Sequence, residues 1–132
     1  MALIKSFGLF LQQNSLQFSE DNEGRRIFFT RNGKQYVFLF DPQDAIYFRI
    51  LLPRVGHIDN PSIEELQFLL DLSEGYKAGK VFFNDNEVWL AFEQFTTDPD
   101  IDATSLFRRG LSVLDDMLEE YNRHQQNNQN GE

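Results

Sequence analysis

Apolar and polar residues recur with two different periods along this chain, and the changes of period divide it into nine predicted elements. Residues 2–13 place their apolar positions within roughly 120° of a helical wheel, which predicts a first amphipathic helix. A short strand follows around residues 16–18. The segments RRIFFTR and KQYVFLF flank Asn32-Gly33, a dipeptide typical of a type I′ hairpin turn. AIYFRILL predicts a fourth strand, which Pro53 should end.

The second half of the chain predicts a helix, a hairpin and a long helix. Asn60-Pro61 suits a helix start, with Asn as the cap and Pro in the first turn. The helix that follows is apolar on most of its circumference, which predicts burial on more than one side. KVFFND and EVWLAFEQF form a hairpin around residues 84–86, and ATSLFRRGLSVLDDMLEEYNRH forms the last helix. Its apolar arc spans roughly 160°, more than the roughly 100° that one core requires, so it should meet its own sheet and something else.

This element order, α-β-β-β-β-α-β-β-α, predicts an α+β fold with three helices and a mainly antiparallel sheet of five or six strands. The central strands are apolar on both faces, so helices, a second subunit or a partner chain should cover both sides of the sheet. We expect a single domain over residues 1–124. Residues 125–132, QQNNQNGE, contain no apolar side chain and should form a disordered polar tail.

Composition and charge narrow the classes of function. The 132 residues include no Cys, which excludes disulfides and thiolate metal sites, and the net charge is −9. Residues 63–132 hold five Lys and Arg against fifteen Asp and Glu, whereas residues 1–62 hold seven against six. An acidic surface repels phosphate backbones and anionic lipid, so we expect no nucleic-acid or membrane partner. No apolar run approaches the roughly 20 residues that span a bilayer, and a cytoplasmic location is the simplest expectation.

The candidate metal ligands and catalytic groups have simpler explanations. Asp98, Asp100 and Asp102 alternate as at the start of a calcium loop, but Ala103 occupies the position that requires Gly, and the closing Glu is missing. Asp102 is better explained as a helix cap. The two histidines have no partner at ligand spacing. We therefore expect no metal, no cofactor and no enzymatic activity.

Two further groups of residues are candidates for binding. Arg25, Arg26, Arg31 and Lys34 surround two Phe residues on the first hairpin, which suits either a nucleic-acid surface or an edge protected against pairing. Gly110 lies in the middle of the last helix, where Gly costs roughly 1 kcal/mol relative to Ala. Either another backbone approaches there, or the cost is tolerated. The second apolar ridge of this helix and the competing surface of the middle helix predict a homodimer interface at Leu106, Gly110, Val113, Met117, Phe68 and Leu72.

The run GKVFFNDNEVWLAFEQF, between Gly79 and Phe95, precedes the long helix with a strand, a turn and a Trp-bearing strand. In this run and in its element order the chain resembles the YbjN family and the wider fold of the type III secretion chaperones, the CesT-like fold. The resemblance implies a homodimer without catalysis. In the chaperone branch it also implies a client segment wrapped over apolar patches. The basic first hairpin and the Gln- and Asn-rich tail depart from that branch.

Two functions follow from this reasoning. The first is a chaperone-like binding or assembly protein, which holds a polypeptide partner on the exposed apolar surface of a homodimer. The alternative is a small-ligand sensory or regulatory domain, with an aromatic pocket between sheet and helices.

Overall fold

Six antiparallel strands and three helices make up the protein in a computed structural model, which describes residues 2–129. The strands form one sheet in the order β1-β2-β3-β4-β6-β5, so that β6 lies between β4 and β5. The predicted α+β class and the predicted element order are confirmed. In chain order the elements are α1 (Leu3–Gln13), β1 (Phe18–Glu20), β2 (Arg26–Arg31), β3 (Lys34–Phe40), β4 (Tyr47–His57), α2 (Ile63–Glu74), β5 (Gly79–Asn84), β6 (Glu87–Phe95) and α3 (Thr104–Gln129).

Both predicted hairpin turns form, and each uses two residues with positive φ. Asn32 and Gly33 have φ values of 54° and 73°, and Asp85 and Asn86 have 52° and 64°. Residues of these types tolerate the left-handed region, and two such residues in succession define a type I′ turn. The local signal was therefore sufficient to fix both turns.

Strand β4 does not end at Pro53, and that prediction is wrong. The strand runs to His57 through an irregularity in its pairing with β6, between Leu52 and Gly56. Within it Arg54 has a φ of 54°. Proline is tolerated at a bulge because the ladder there does not need its missing N–H group.

Two helix boundaries also differ from the prediction. Helix α2 begins at Ile63, because Ser62 rather than Asn60 is its cap: the Ser62 hydroxyl accepts from the Glu65 N–H, and the Glu65 side chain accepts from the Ser62 N–H. Helix α3 continues through residues 125–129, which were predicted to belong to a disordered tail. Polarity alone does not break a helix, and no Gly or Pro interrupts this segment. Residues 130–132 lie outside the described residues.

The hydrophobic core lies between one face of the sheet and all three helices. The central strands contribute alternate residues to it, among them Phe38, and α1 and α3 contribute Phe7 and Phe107. The Phe7 ring stacks on Phe38 with ring centroids 4.1 Å apart, and it meets the edge of Phe107 at 4.9 Å. These aromatic rings pack against each other and fill the space between helices and sheet.

Helix α2 covers less of this core than its composition predicts. Only Leu69 and Leu72 of this helix are buried. The helix packs beside β5, the strand at the edge of the sheet. Burial on more than one side was predicted, and this is wrong because a helix at the edge of a sheet keeps one side in solvent.

Candidate functional site on the outer face of the sheet

The face of the sheet opposite the helices is not covered by any element within residues 2–129. Register identifies its side chains, because residues paired across strands point to the same face. One row across the sheet is Phe28, Val37, Leu51 and Ala91. These residues do not belong to the core cluster, although Leu51 and Ala91 are buried beneath their neighbours. We call this surface the outer face, and it comprises Arg26, Phe28, Val37, Leu39, Tyr47, Arg49, Leu51, Lys80, Phe82, Trp89, Ala91, Glu93 and Phe95.

Large apolar side chains on the outer face are open to solvent. Phe28 is 44% exposed and Phe95 is 59% exposed, and they lie on opposite sides of the central strand β4. Val37, Leu39, Phe82 and Trp89 are partly exposed on the same face. An apolar surface that extends across several strands is typical of an interaction site rather than of a solvated sheet.

Two grooves in this face meet at Trp89, the single tryptophan of the chain. The larger groove has a volume of about 430 Å³ and the smaller one about 290 Å³. Each groove combines apolar and basic lining residues, and neither is lined by an acidic residue, although the protein is acidic overall. The larger groove is lined by Phe28, Lys34, Gln35, Tyr36, Val37, Leu52, Pro53, Arg54, Val55 and Trp89, and the smaller one by Arg49, Leu51, Phe82, Asn84 and Trp89.

A polar cluster around Glu93 interrupts the apolar surface beside the smaller groove. The ammonium of Lys80 lies 3.1 Å from Glu93 Oε1, and Arg49 Nε lies 3.8 Å from Oε2. The Tyr47 hydroxyl donates to Oε2. Burial alone would raise the pKa of Glu93, but the Tyr47 hydroxyl, the Lys80 ammonium and the Arg49 charge together lower it below the usual value. Burial, with this carboxylate, raises the pKa of Tyr47 to about 12.

Three of the six residues predicted to form a dimer interface are buried within the chain. Leu72 and Met117 belong to its core. A Cβ atom at Gly110 would lie 2.7 Å from Phe92 Cδ2, so the close approach at this glycine is made by an aromatic ring of β6. The interface predicted at these three positions is therefore corrected to intrachain packing. The wide apolar arc of α3 packs against strands β4, β5 and β6 of the sheet and against helices α1 and α2.

The other three predicted interface residues keep some exposure. Leu106 and Val113 are partly buried at the edge of the core. The Phe68 ring stacks on His124 of α3, with ring centroids 3.6 Å apart and planes inclined by 5°. Phe68 therefore joins α2 to α3, and Leu106 and Val113 are the positions on the α3 ridge where a second copy could still make contact.

The predicted basic patch is partly neutralised within the chain. Arg31 donates two hydrogen bonds to the Asp115 carboxylate of α3, at 2.7 and 2.8 Å. Arg26 pairs with Asp21 at 3.3 Å. Arg31 therefore joins the first hairpin to α3, and Arg26 stabilises the turn before β2. Because these two charges are paired within the chain, the patch is less suited to bind nucleic acid.

The acidic loop before α3 is organised by local hydrogen bonds. Asp98 Oδ1 accepts from the Asp100 N–H at 2.8 Å. Asp102 Oδ1 accepts from the Thr104 N–H at 3.1 Å and from the Thr104 hydroxyl at 2.7 Å, next to the start of α3. Ala103 accepts the first backbone hydrogen bond of the helix, from the Phe107 N–H, so Asp102 lies one residue before the cap position that was predicted for it. Within residues 2–129, no three acidic or histidine side chains are grouped as metal ligands.

The sequence indicated that an apolar sheet surface would be exposed, but it did not show which residues form the outer face. Central strands that are apolar on both faces indicated that some sheet surface needs a cover. The uncovered surface was predicted on the second apolar ridge of α3 instead. A helical wheel cannot show which ridge of a helix packs against the chain's own sheet. Only the strand register assigns Phe28, Trp89 and Phe95 to the side without helices.

Neither protein-family models nor curated proteins match this chain. None of the helices in residues 2–129 combines the length and the apolarity needed to cross a bilayer.

Proposed function

We propose that this chain is a non-enzymatic binding protein that holds a polypeptide segment against the outer face of its sheet. One observation supports this function above the others. The central strands are apolar on both faces, whereas the helices of the described chain cover one face. A partner that covers the other face removes Phe28, Trp89 and Phe95 from water, and burial of one such side chain contributes about 1.5–3 kcal/mol.

An extended polypeptide suits the shape of this surface. The two grooves meet at Trp89, so a segment that crosses the strands can place one side chain in each groove. Lys34, Arg49 and Arg54 line the grooves and favour acidic side chains or a terminal carboxylate. A nucleic acid suits the surface less well, because a protein of net charge −9 repels a polyanion at longer range.

Binding to the outer face is tested with two twelve-residue peptides that alternate Leu with either Asp or Lys. Binding is followed through the fluorescence of Trp89, the single tryptophan. We expect micromolar binding of the acidic peptide, and a loss of about tenfold in affinity in the Phe28→Ser variant. Leu9→Ser is the matched control, because Leu9 is equally exposed but lies on helix α1. Equal affinity of wild type and Phe28→Ser would contradict the proposal.

The homodimer expected from the sequence is a second part of this proposal. It uses Leu106 and Val113 on α3, which leaves the outer face free for the partner. Sedimentation of the full chain at micromolar concentration should then give a dimer mass, and Val113→Asp should shift it toward the monomer, because the substitution would bury an unpaired charge. A monomeric wild type, or a dimer that Val113→Asp leaves intact, would refute this interface.

The small-ligand alternative was predicted for an aromatic pocket between sheet and helices, but core side chains fill that space. The alternative is therefore proposed for the smaller groove of the outer face instead. The guanidinium of Arg49 lies over the Phe82 ring, 5.1 Å from its centroid, beside Trp89. This arrangement could hold a planar anionic molecule by stacking and charge. Quenching of Trp89 by small aromatic acids, together with no response to either peptide, would favour this alternative. The cytoplasmic location remains a prediction in either case.

A further inference from the structure

Helix α2 carries an apolar stripe that no other described element covers. Ile63 is 83% exposed, Leu66 is 47% exposed and Leu70 is 52% exposed. Their spacing places all three within roughly 60° of the helix circumference, in the i, i+3, i+7 pattern by which helices dock on a partner. The stripe lies on the side of the sheet that bears the helices, so it is separate from the outer face.

The charges of α2 determine which partner can cover this stripe. The helix contains Glu64, Glu65, Asp71 and Glu74 and no Lys or Arg. At 100° per residue, Glu74, Asp71 and Glu64 follow the stripe along one flank. If a second copy of the chain covered the stripe, these carboxylates would face the same carboxylates of the other copy. Like charges across an interface are strongly unfavourable. The occupant should therefore carry the opposite charge.

The stripe is held in a fixed position, which favours docking. The reciprocal hydrogen bonds between Ser62 and Glu65 fix the first turn of the helix. At the other end, the Ser73 hydroxyl accepts from the Val81 N–H of β5 at 3.1 Å. Two buried leucines between these points anchor the helix to the core. A partner that binds here does not have to order the helix first, which lowers the entropic cost of association.

We propose that the stripe docks a basic amphipathic helix of another protein. Apolar side chains of that helix, spaced three and four residues apart, would cover Ile63, Leu66 and Leu70. Lys or Arg side chains on its flank would meet Asp71 and its acidic neighbours. This interaction would add a second partner surface to the molecule, on the opposite side of the sheet from the proposed polypeptide site.

The test uses two labelled amphipathic peptides of eighteen residues, with Leu at every third and fourth position and either Lys or Glu elsewhere. Fluorescence anisotropy measures their binding to the full chain. We expect the Lys peptide to bind, the Glu peptide not to bind, and the affinity to fall as salt rises from about 50 to about 300 mM. The variant Leu66→Ser/Leu70→Ser keeps every charge of the protein and should bind the Lys peptide about tenfold more weakly.

Two control variants separate docking from nonspecific attraction. Leu9→Ser removes an exposed leucine elsewhere and should bind as the wild type does. Glu64→Gln/Asp71→Asn should weaken binding and reduce its salt dependence. Equal binding of the Lys peptide to the wild type and to Leu66→Ser/Leu70→Ser would overturn the proposal, since attraction to the acidic surface alone would then explain it. A wild-type dimer that becomes a monomer in Leu66→Ser/Leu70→Ser would also overturn it, in favour of a second copy.

Discussion

Replacing Gly110 by alanine should destabilise the protein, although alanine is the better helix former. A Cβ atom at this position would lie 2.7 Å from Cδ2 and 3.0 Å from Cε2 of the Phe92 ring. Both distances are far shorter than the 3.5–4.0 Å of an ordinary contact between carbon atoms. Phe92 is buried in the core, so its ring cannot move without displacing its neighbours.

The expected magnitude is the difference between two opposing effects. Alanine in a helix interior gains about 1 kcal/mol over glycine. Overpacking of a filled core costs about 1–3 kcal/mol. Because the contact is with a buried ring rather than with the flexible end of a side chain, we expect overpacking to prevail, with a net loss of about 1 kcal/mol in the free energy of unfolding.

Gly8→Ala provides the matched control within the same protein. Gly8 also lies inside a helix, but its added Cβ would be 3.8 Å from the Phe18 ring, an ordinary contact. This variant should gain about 0.5–1 kcal/mol. Urea unfolding, followed by circular dichroism and by Trp89 fluorescence, should therefore separate the two variants by about 2 kcal/mol.

An unfolding free energy for Gly110→Ala equal to or above that of Gly8→Ala would refute the packing argument. A different result would support the dimer interface that the sequence predicts at Gly110. If Gly110 met a second copy instead of Phe92, alanine would raise the stability of the monomer and weaken self-association. Sedimentation of the same variant distinguishes these outcomes.

Three further predictions concern caps and ion pairs. Ser62→Ala removes the cap of α2 and should lower the free energy of unfolding by about 1 kcal/mol, measured in urea. Asp115→Asn breaks the two-bond contact with Arg31 and should cost up to about 1 kcal/mol, because both side chains are partly exposed, with the difference shrinking at high salt. The Glu87 side chain raises the pKa of His57 above its usual value, so this pair stabilises the fold below the usual histidine pKa and ceases to do so as pH rises through the raised value. An NMR titration should show the pKa of His57 falling in Glu87→Gln.

Each of these predictions has an outcome that contradicts it. For Ser62→Ala, a urea midpoint of unfolding equal to that of the wild type would contradict the prediction. For Asp115→Asn, the contradicting result is a loss of unfolding free energy that is the same at low and at high salt. For His57, the contrary result is a titration that Glu87→Gln leaves in place.

Local chemistry made much of this fold predictable. Asn32-Gly33 determined one hairpin without any knowledge of the rest of the chain, because type I′ turns depend on two residues. The alternation of Tyr36, Phe38 and Phe40 identified the residues of β3 that share one face. Prediction failed where a residue's role depends on distant partners. Pro53 could remain within β4 only because β6 leaves an irregularity opposite it.

The candidate site was less predictable than the fold. An apolar arc on a helical wheel is the same whether a second subunit or the chain's own sheet covers it. For this reason Gly110 and Met117 suggested an interface, although Phe92 and Gly79 account for their packing. The outer face required knowing on which side of the sheet each helix lies, and hydrophobic periodicity contains no such information.

The position of β6 between β4 and β5 has a consequence for the order in which the fold can form during synthesis. Strands β1 to β4 pair with their neighbours in chain order, so a meander can assemble as it leaves the ribosome. Strand β5 then emerges with no strand beside it until β6 arrives and joins it to β4. Helix α3, which supplies Phe107 and Tyr121 to the core, is made later still. Helix α1 is already made and can cover part of one face, but the rest of that face and the whole outer face present apolar side chains until α3 docks. This interval is when aggregation should be most rapid.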